Sequence, residues 1–247
     1  MFRAIPGQLP AADAGDLAGI ALPPGRIVVA REGTGEAVAW ISTDLLPAAQ
    51  LEELICALAA VFLQTGLWPL HAEGHPEGRL DQPWAFGEMD GPEGEIPDAL
   101  TVLTRDDDGD RTVPPVTELA SPQPGPDLDA GAIGIGVDGR LLLVPVARPA
   151  DVPAALGWWG GTNYGLSGAD FSAVLRSWED RFGAVLISIG FATMAVQVGR
   201  RPVSLEQLDA LLREHYAFCP DNIDQGLPPE VFRDGLAESN FWSFWWD

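Results

Sequence analysis

The stretch HYAFCPDN near the C-terminus holds the residue types that most directly suggest chemistry. His215 and Cys219 are four residues apart, which is one helical turn, and Asp221 follows closely. A histidine beside a thiol can act as its base, and the same side chains can bind a metal. The alternative is packing, because a cysteine at the end of an apolar helix is usually inert. No second Cys/His pair completes a zinc set, so we predict no metal and keep His215, Cys219 and Asp221 as catalytic candidates.

Two further stretches have the form of known motifs but break their rules. GIGVDG (134–139) has GxGxxG spacing, but a dinucleotide-binding loop must open a helix, and here a strand is predicted next. RDDDGD (105–110) looks like a calcium loop. Counted from Asp106, however, its sixth residue is Arg111 and its twelfth is Thr117, where such a loop has Gly and Glu. We interpret the two as a glycine turn and a solvated acidic loop, and we predict no cofactor.

Aromatic residues are concentrated in the loop GWWGGTNYG (157–165) and in the tail FWSFWWD (241–247). A strand would place Trp242, Phe244 and Trp246 of the tail on one face, whereas a helical turn would group Trp242, Trp245 and Trp246. Each buried aromatic removes about 150–250 Å² from water, so we predict that the tail docks onto the core. The functional alternative is an aromatic groove with a polar rim. Its candidate binding residues are Trp158, Trp159, Asn163, Tyr164, Asp221, Asn222, Trp242, Trp245 and Trp246.

The hydrophobic periodicity predicts the elements that position these residues. β-branched or continuously apolar runs predict strands at 25–31, 37–42, 67–73, 140–146, 184–190 and 193–198. Helices are predicted from Pro47 to Gly66, from Ser167 to Gly183 with an Asp170 capping box, and from Ser204. In the last of these, Val203 is expected to contact Leu208, and the predicted core face is Leu205, Leu208, Leu211, Leu212 and Tyr216. The order of elements predicts an α+β fold, with a mixed or antiparallel sheet and helices packed mainly on one face.

Three regions are distinguished along the chain. Residues 1–73 are predicted to form a strand-strand-helix-strand unit, and residues 132–247 a C-terminal α+β domain. Between them, residues 74–131 are rich in Pro, Gly and Asp without a persistent period, which predicts a long irregular connection.

The composition limits the classes of function. The 247 residues include 36 acidic and 14 basic side chains, and every basic residue is arginine, for a formal net charge of -22. Such a charge repels phosphate backbones and anionic lipids, so we expect neither nucleic-acid nor membrane binding. No apolar run approaches the roughly 20 residues of a membrane span. The N-terminus lacks the features of a signal peptide, and Cys56 and Cys219 are read as reduced thiols, so a cytoplasmic protein is predicted.

Four blocks of the second half resemble those of a known family: GWWGGTNYG, LRSWEDRFGA, HYAFCPDNIDQG and FWSFWWD. They are similar to the bacterial, largely actinobacterial family named domain of unknown function 4253, and the resemblance covers residues 140–247 together with GLWPL (66–70). It implies a C-terminal α+β domain and carries no activity, cofactor or catalytic residue. Thr162 departs from the pattern, since the family suggests a cysteine there.

Two hypotheses of function follow. The preferred one is a non-catalytic binding module whose acidic surface recruits a basic protein partner, as an immunity-type inhibitor or a regulatory protein would do. The alternative is a small hydrolase or transferase that uses Glu179 and Asp180 with His215, Cys219 and Asp221 in the aromatic groove. Against it, Glu179 and Asp180 are expected to form a solvated helix face with Arg176 and Arg181.

Overall fold

The structure is a computed structural model that describes residues 2–31, 35–74, 81–85, 89–105 and 111–247. Two sheets are present in these ranges, one of two strands and one of seven. The strands are β1 (Asp16–Leu17), β2 (Ile20–Ala21), β3 (Gly25–Val29), β4 (Ala37–Ser42), β5 (Leu67–Ala72), β6 (Arg140–Pro145), β7 (Ala184–Ile189), β8 (Thr193–Val198) and β9 (Phe241–Trp245). The helices are α1 (Ala48–Ala60), α2 (Phe62–Thr65), α3 (Ala99–Leu103), α4 (Val152–Leu156), α5 (Gly168–Phe182), α6 (Leu205–Phe218), α7 (Asp221–Asp224) and α8 (Pro229–Glu238).

The large sheet has the order β3-β4-β6-β5-β7-β8-β9. Neighbouring strands are antiparallel except for β5 and β7, which are parallel, so the sheet is mixed. β6 lies between β4 and β5, which places a strand from the predicted C-terminal region among strands from residues 1–73. Residues 1–73 and 132–247 therefore share one sheet and one hydrophobic core.

Helices lie mainly on one face of this sheet, and the predicted α+β class is confirmed. Trp178 of α5 packs against Trp242 and Phe244 of β9, and α3, α4 and α6 lie beside these elements. Helix α1 lies on the opposite face of the sheet. Gln197 of β8 points away from Trp242 towards this face and bonds to the backbone of residues 132–134. The same backbone contacts α1. The sheet is thus covered on both sides where it is most apolar.

Local sequence signals account for the helix ends. Ser167 and Asp170 form the reciprocal capping box of α5, and Gly183 ends the helix with a positive φ of 63°. The Ser204 side chain caps α6 by accepting from the Gln207 amide. Two expectations for α6 are wrong: Val203 and Leu205 are 85% and 65% exposed, so Val203 does not pack on Leu208 and the core face begins at Leu208.

The region predicted to be an irregular connection is ordered wherever the structure describes it. It contains α3 and a short 3-10 turn at Ala130–Ala132, and otherwise has little regular structure. Its apolar side chains nevertheless enter the core: Trp84, Met89, Val102, Leu103, Val116 and Ala120. The acidic stretch Asp106–Asp110 lies outside the described residues. Across the part of the chain that is described, no helix has the length and apolar character needed to cross a membrane.

Candidate functional site

His215 lies in a box of aromatic rings in the core. Trp178 stacks on its imidazole at a centroid distance of 4.7 Å, and Trp242 and Phe244 lie at 4.8 and 5.2 Å. Both ring nitrogens are buried without a hydrogen-bond partner among the residues that the structure describes. Burial, with a smaller effect of the Arg181 charge, lowers the pKa of His215 to about 3. His215 is therefore a neutral core side chain at pH 7, and it is not positioned as a base for Cys219.

Acid should destabilise the protein through His215. In the unfolded chain a histidine has a pKa of about 6.5, so below that pH the unfolded state binds a proton that the folded state excludes. The stability associated with neutral His215 is complete above about pH 6.5 and is lost as the pH falls towards 3. From pH 7.5 to pH 5.0 we expect a loss of about 2 kcal/mol from this group. Urea unfolding at both pH values measures it.

The control for this effect is His215→Phe, which keeps an aromatic ring and removes the proton site. The variant should lose about 2 kcal/mol less than the native protein over the same pH interval. Equal losses in the two proteins would show that carboxylates, and not His215, set the acid sensitivity.

Cys219 ends α6 and is fully buried. Its Sγ donates to the carbonyl of Trp245 at 3.0 Å, and burial raises the pKa of the thiol to about 12. A reactive cysteine needs an exposed, electropositive setting that stabilises the thiolate. The imidazole packs among aromatic rings and the thiol bonds to a strand carbonyl, so this arrangement does not support the candidate dyad of His215 and Cys219. Both cysteines are free thiols, as predicted.

Cys219 should resist thiol reagents in the native protein. Burial and the charge of Glu52 raise the pKa of Cys56, so we expect this half-buried thiol to react only slowly with a maleimide at pH 7, and Cys219 to react only after denaturation. Mass spectrometry of digested, labelled protein distinguishes the two sites. Rapid native labelling of Cys219 would contradict the buried, bonded thiol seen in the structure.

Asp221 and Asn222 hold the tail in place. The Asp221 carboxylate accepts from the Tyr164 hydroxyl at 2.5 Å, from Gln225 at 2.7 Å and from the Asp247 amide at 2.9 Å. Asn222 donates to the carbonyl of Ser243 at 2.7 Å. Together with Cys219 these side chains satisfy backbone groups at the outer edge of β9, which would otherwise be an open sheet edge. Their polar groups are thus already engaged within the chain.

The aromatic candidates divide into core and surface residues. Trp158, Trp242 and Trp246 are buried, and the Trp158 indole donates to the Gly190 carbonyl. The tail adopts the strand alternative, with Trp242, Phe244 and Trp246 on the buried face and Trp245 half-exposed on the other. Trp159, Asn163 and Tyr164 lie on the partly exposed loop. The candidate binding surface is therefore limited to the part of the loop that lies beside the end of the tail.

A cavity of about 420 Å³ lies beside Trp159, and we call it the Trp159 cavity. Its aromatic wall consists of Trp159, Phe191 and Trp246. Asn163 and Asp247 lie at the polar side, where the Asn163 amide donates to the Asp247 carbonyl oxygen at 3.0 Å. Its volume falls in the range of about 300–1,000 Å³ typical of small-molecule sites.

Trp159 also lines a second cavity, of about 460 Å³, together with Arg31 and Asp90. The guanidinium of Arg31 lies 4.8 Å from the Trp159 ring centroid, within the range of a cation–π interaction. Asp90 accepts from the Trp159 indole at 2.9 Å and lies 3.7 Å from Arg31. Trp159 and Asp90 thus together bind the guanidinium of Arg31 in this cavity.

The expectation that Glu179, Asp180, Arg176 and Arg181 form a solvated face of α5 is wrong. Glu179 is only 3% exposed and binds Arg3 and Arg148, because the N-terminal segment crosses α5 at this position. Arg181 is also buried, and its guanidinium donates to Glu214 on α6. Asp180 and Arg176 keep substantial exposure, although they too form ion pairs, with Arg148 and Asp151. Glu179 and Asp180, two of the side chains offered for the enzyme alternative, are thus engaged in ion pairs.

A polar contact between two neighbouring strands has no counterpart among the motifs of the sequence. His71 on β5 lies 3.1 Å from the Ser188 hydroxyl on β7, and Glu73 is 4.0 Å from the same imidazole nitrogen. Both partners approach Nδ1, so they do not form the relay of a catalytic triad, which uses both ring nitrogens. Only the pairing of β5 with β7 brings these residues together, and nothing in the spacing of the chain indicates it.

GIGVDG lies before β6, as predicted for a turn before a strand. The Gly134 amide donates to the Gln197 side chain at 2.9 Å, so this backbone is engaged with the sheet.

Comparison with known proteins gives one finding for the described fold. No curated protein and no solved structure matches the chain. Residues 140–247, from the start of β6 to the last residue of the tail, match the family described as Domain of unknown function (DUF4253), in agreement with the four blocks of sequence that suggested it.

Proposed function

We propose that the protein is a non-catalytic binding module that receives a cationic side chain of a basic protein partner in the Trp159 cavity. The observation that carries this proposal is the composition of the wall: Trp159, Phe191 and Trp246 provide rings and Asp247 provides a carboxylate, while no arginine is among the described residues that line it. Aromatic faces beside a carboxylate favour an organic cation, because the ring quadrupole and the negative charge both attract it.

The neighbouring contact of Arg31 supports this reading. An arginine of the chain itself already stacks on Trp159 and lies beside Asp90, so the indole is in an electrostatic setting that accepts a guanidinium. A partner's arginine or lysine that enters the Trp159 cavity from the other direction would meet the same ring, with Asp247 as the anion.

The charge of the whole protein favours the same kind of partner. With a formal net charge of -22, the surface field attracts basic proteins and raises their association rate at low salt. A basic toxin bound by an immunity-type inhibitor, or a basic protein in a regulatory complex, would present such side chains.

The test is a titration of the full chain with a fluorescent octa-arginine peptide, followed by anisotropy at low salt and at about 0.3 M salt. Trp159→Ala should weaken binding by about tenfold, because a desolvated cation–π contact contributes up to about 2 kcal/mol. Trp245→Ala is the matched control: this tryptophan is 38% exposed on another surface and should leave affinity unchanged. Binding that both variants keep would be nonspecific attraction by the acidic surface and would contradict the proposed site.

A further inference from the structure

A third cavity, of about 380 Å³, is lined in part by Asn163 and Tyr164 and has a different chemistry. Two arginines line it, Arg105 and Arg111, and Tyr216 forms part of the wall. The remaining described lining residues are largely apolar: Val102, Leu103, Leu166, Ala217 and Pro220. We call it the Arg111 cavity. Two guanidinium groups in one cavity stand out in a chain with 14 basic and 36 acidic side chains.

The two arginines differ in how far their charges are neutralised. Arg105 donates two hydrogen bonds to Asp170, at 2.8 and 2.5 Å, so its charge is balanced at the start of α5. Arg111 pairs with no carboxylate of the described residues, and its Nε is buried without an acceptor. Ten of the other arginines that the structure describes do pair with a carboxylate.

The orientation of Arg111 is fixed by Tyr216. Its guanidinium carbon lies 5.7 Å from the Tyr216 ring centroid, so the ring holds the cation over its face. The hydroxyl groups of Tyr216 and Tyr164 are already donated to Asp224 and Asp221, at 2.8 and 2.5 Å. Among the charged side chains that the structure describes in this lining, Arg111 is therefore the donor without a carboxylate partner.

From this arrangement we propose that the Arg111 cavity binds a small organic oxyanion, a carboxylate or a phosphate ester with an apolar body. The planar guanidinium of arginine can donate two parallel hydrogen bonds to two oxygens of either group. A half-buried guanidinium whose Nε has no acceptor among the described residues gains most from such a ligand. The apolar side chains that line the cavity would contact the body of the molecule. The site is separate from the Trp159 cavity and does not depend on the function proposed there.

The experiment follows the arginine Nε–H signals of the 15N-labelled full chain by NMR. Sodium benzoate and sodium phosphate are titrated separately against sodium chloride at matched ionic strength, and the Arg111 signal is assigned by its absence in Arg111→Met. We expect a saturable shift of that signal with benzoate, with phosphate or with both, and the responding probe distinguishes the carboxylate from the phosphate. A shift no larger than that in chloride would overturn the proposal.

Variants of two arginines make the result specific. Variants of Arg111 lack the Arg111 signal, so their affinities are measured from the backbone amide shifts of Leu166 and Ala217 in the cavity wall. Arg111→Met should weaken binding of the responding anion by at least about tenfold, the usual effect of losing a charged hydrogen bond. Arg111→Lys keeps the charge without the fork and should give an intermediate affinity. Arg201→Met removes an arginine that donates to the Glu238 carbonyl elsewhere, so it should bind like the native protein. Native affinity in Arg111→Met, or equal weakening in Arg201→Met, would show that the overall charge and not this cavity determines binding.

Discussion

Deletion of Phe241–Asp247 is expected to abolish cooperative folding. The segment supplies the edge strand β9 and buries Trp242, Phe244 and Trp246 against α5 and α6. Replacement of one large buried aromatic residue by alanine costs about 3–5 kcal/mol, and a domain is stable by only about 5–15 kcal/mol. Removal of three such residues exceeds that margin. Loss of the near-ultraviolet circular dichroism and of a cooperative melting transition measures the effect.

Two adjacent tryptophans provide a sharper version of the same experiment. Trp246 is 4% exposed and packs on Trp158 and Phe171, whereas Trp245 is 38% exposed. Trp246→Ala should lower the free energy of unfolding by about 3–5 kcal/mol, and Trp245→Ala by far less. Similar stabilities of the two variants, or an unchanged melting temperature after the deletion, would mean that the tail does not close the core.

The elements of the fold could be predicted because their signals are local. Apolar periodicity marks α1 and α5, Ser167 and Asp170 carry the capping box, and Gly66 and Gly183 end helices with positive φ values. The order of strands in the sheet could not be predicted in this way. β6 inserts between β4 and β5, which requires pairing between segments far apart in sequence, and short-range patterns contain no information about such pairs.

The site was harder to predict, because residues of reactive types have structural partners. His215, Cys219 and Asp221 have the chemistry of a catalytic set, yet His215 stacks on Trp178, and Cys219 and Asp221 bond to backbone groups of the tail. The role of these side chains depends on the edge strand β9. The sequence alone did not distinguish a strand from a helical turn in this tail. Trp159 and Asn163 were identified from composition alone, whereas Arg31 and Asp90 become neighbours of Trp159 only through the fold.

Glu214 and Arg181 form the most enclosed ion pair among the described residues. Glu214 is fully buried and accepts from Arg181 through both guanidinium nitrogens, at 2.8 and 2.6 Å. It also accepts from the Trp178 indole at 2.8 Å and from the Ala120 amide at 2.6 Å. The carboxylate therefore joins α5, α6 and the segment before β6 within the wall of the aromatic core.

Glu214→Ala is expected to lower the free energy of unfolding by about 3–5 kcal/mol, because it leaves the Arg181 charge buried without its counter-ion. The double variant Arg181→Met with Glu214→Leu should recover much of this loss, since an apolar pair of similar volume carries no desolvation cost. Asp209→Ala is the matched control on the same helix: Asp209 is 47% exposed and its half-buried partner Arg233 also binds Asp234, so the change should be much smaller. Urea unfolding of the four proteins gives the values.

If Glu214→Ala were no more destabilising than Asp209→Ala, the pair would have little structural role. If the double variant were as unstable as Glu214→Ala, lost packing would be the cause, and not the unpaired charge.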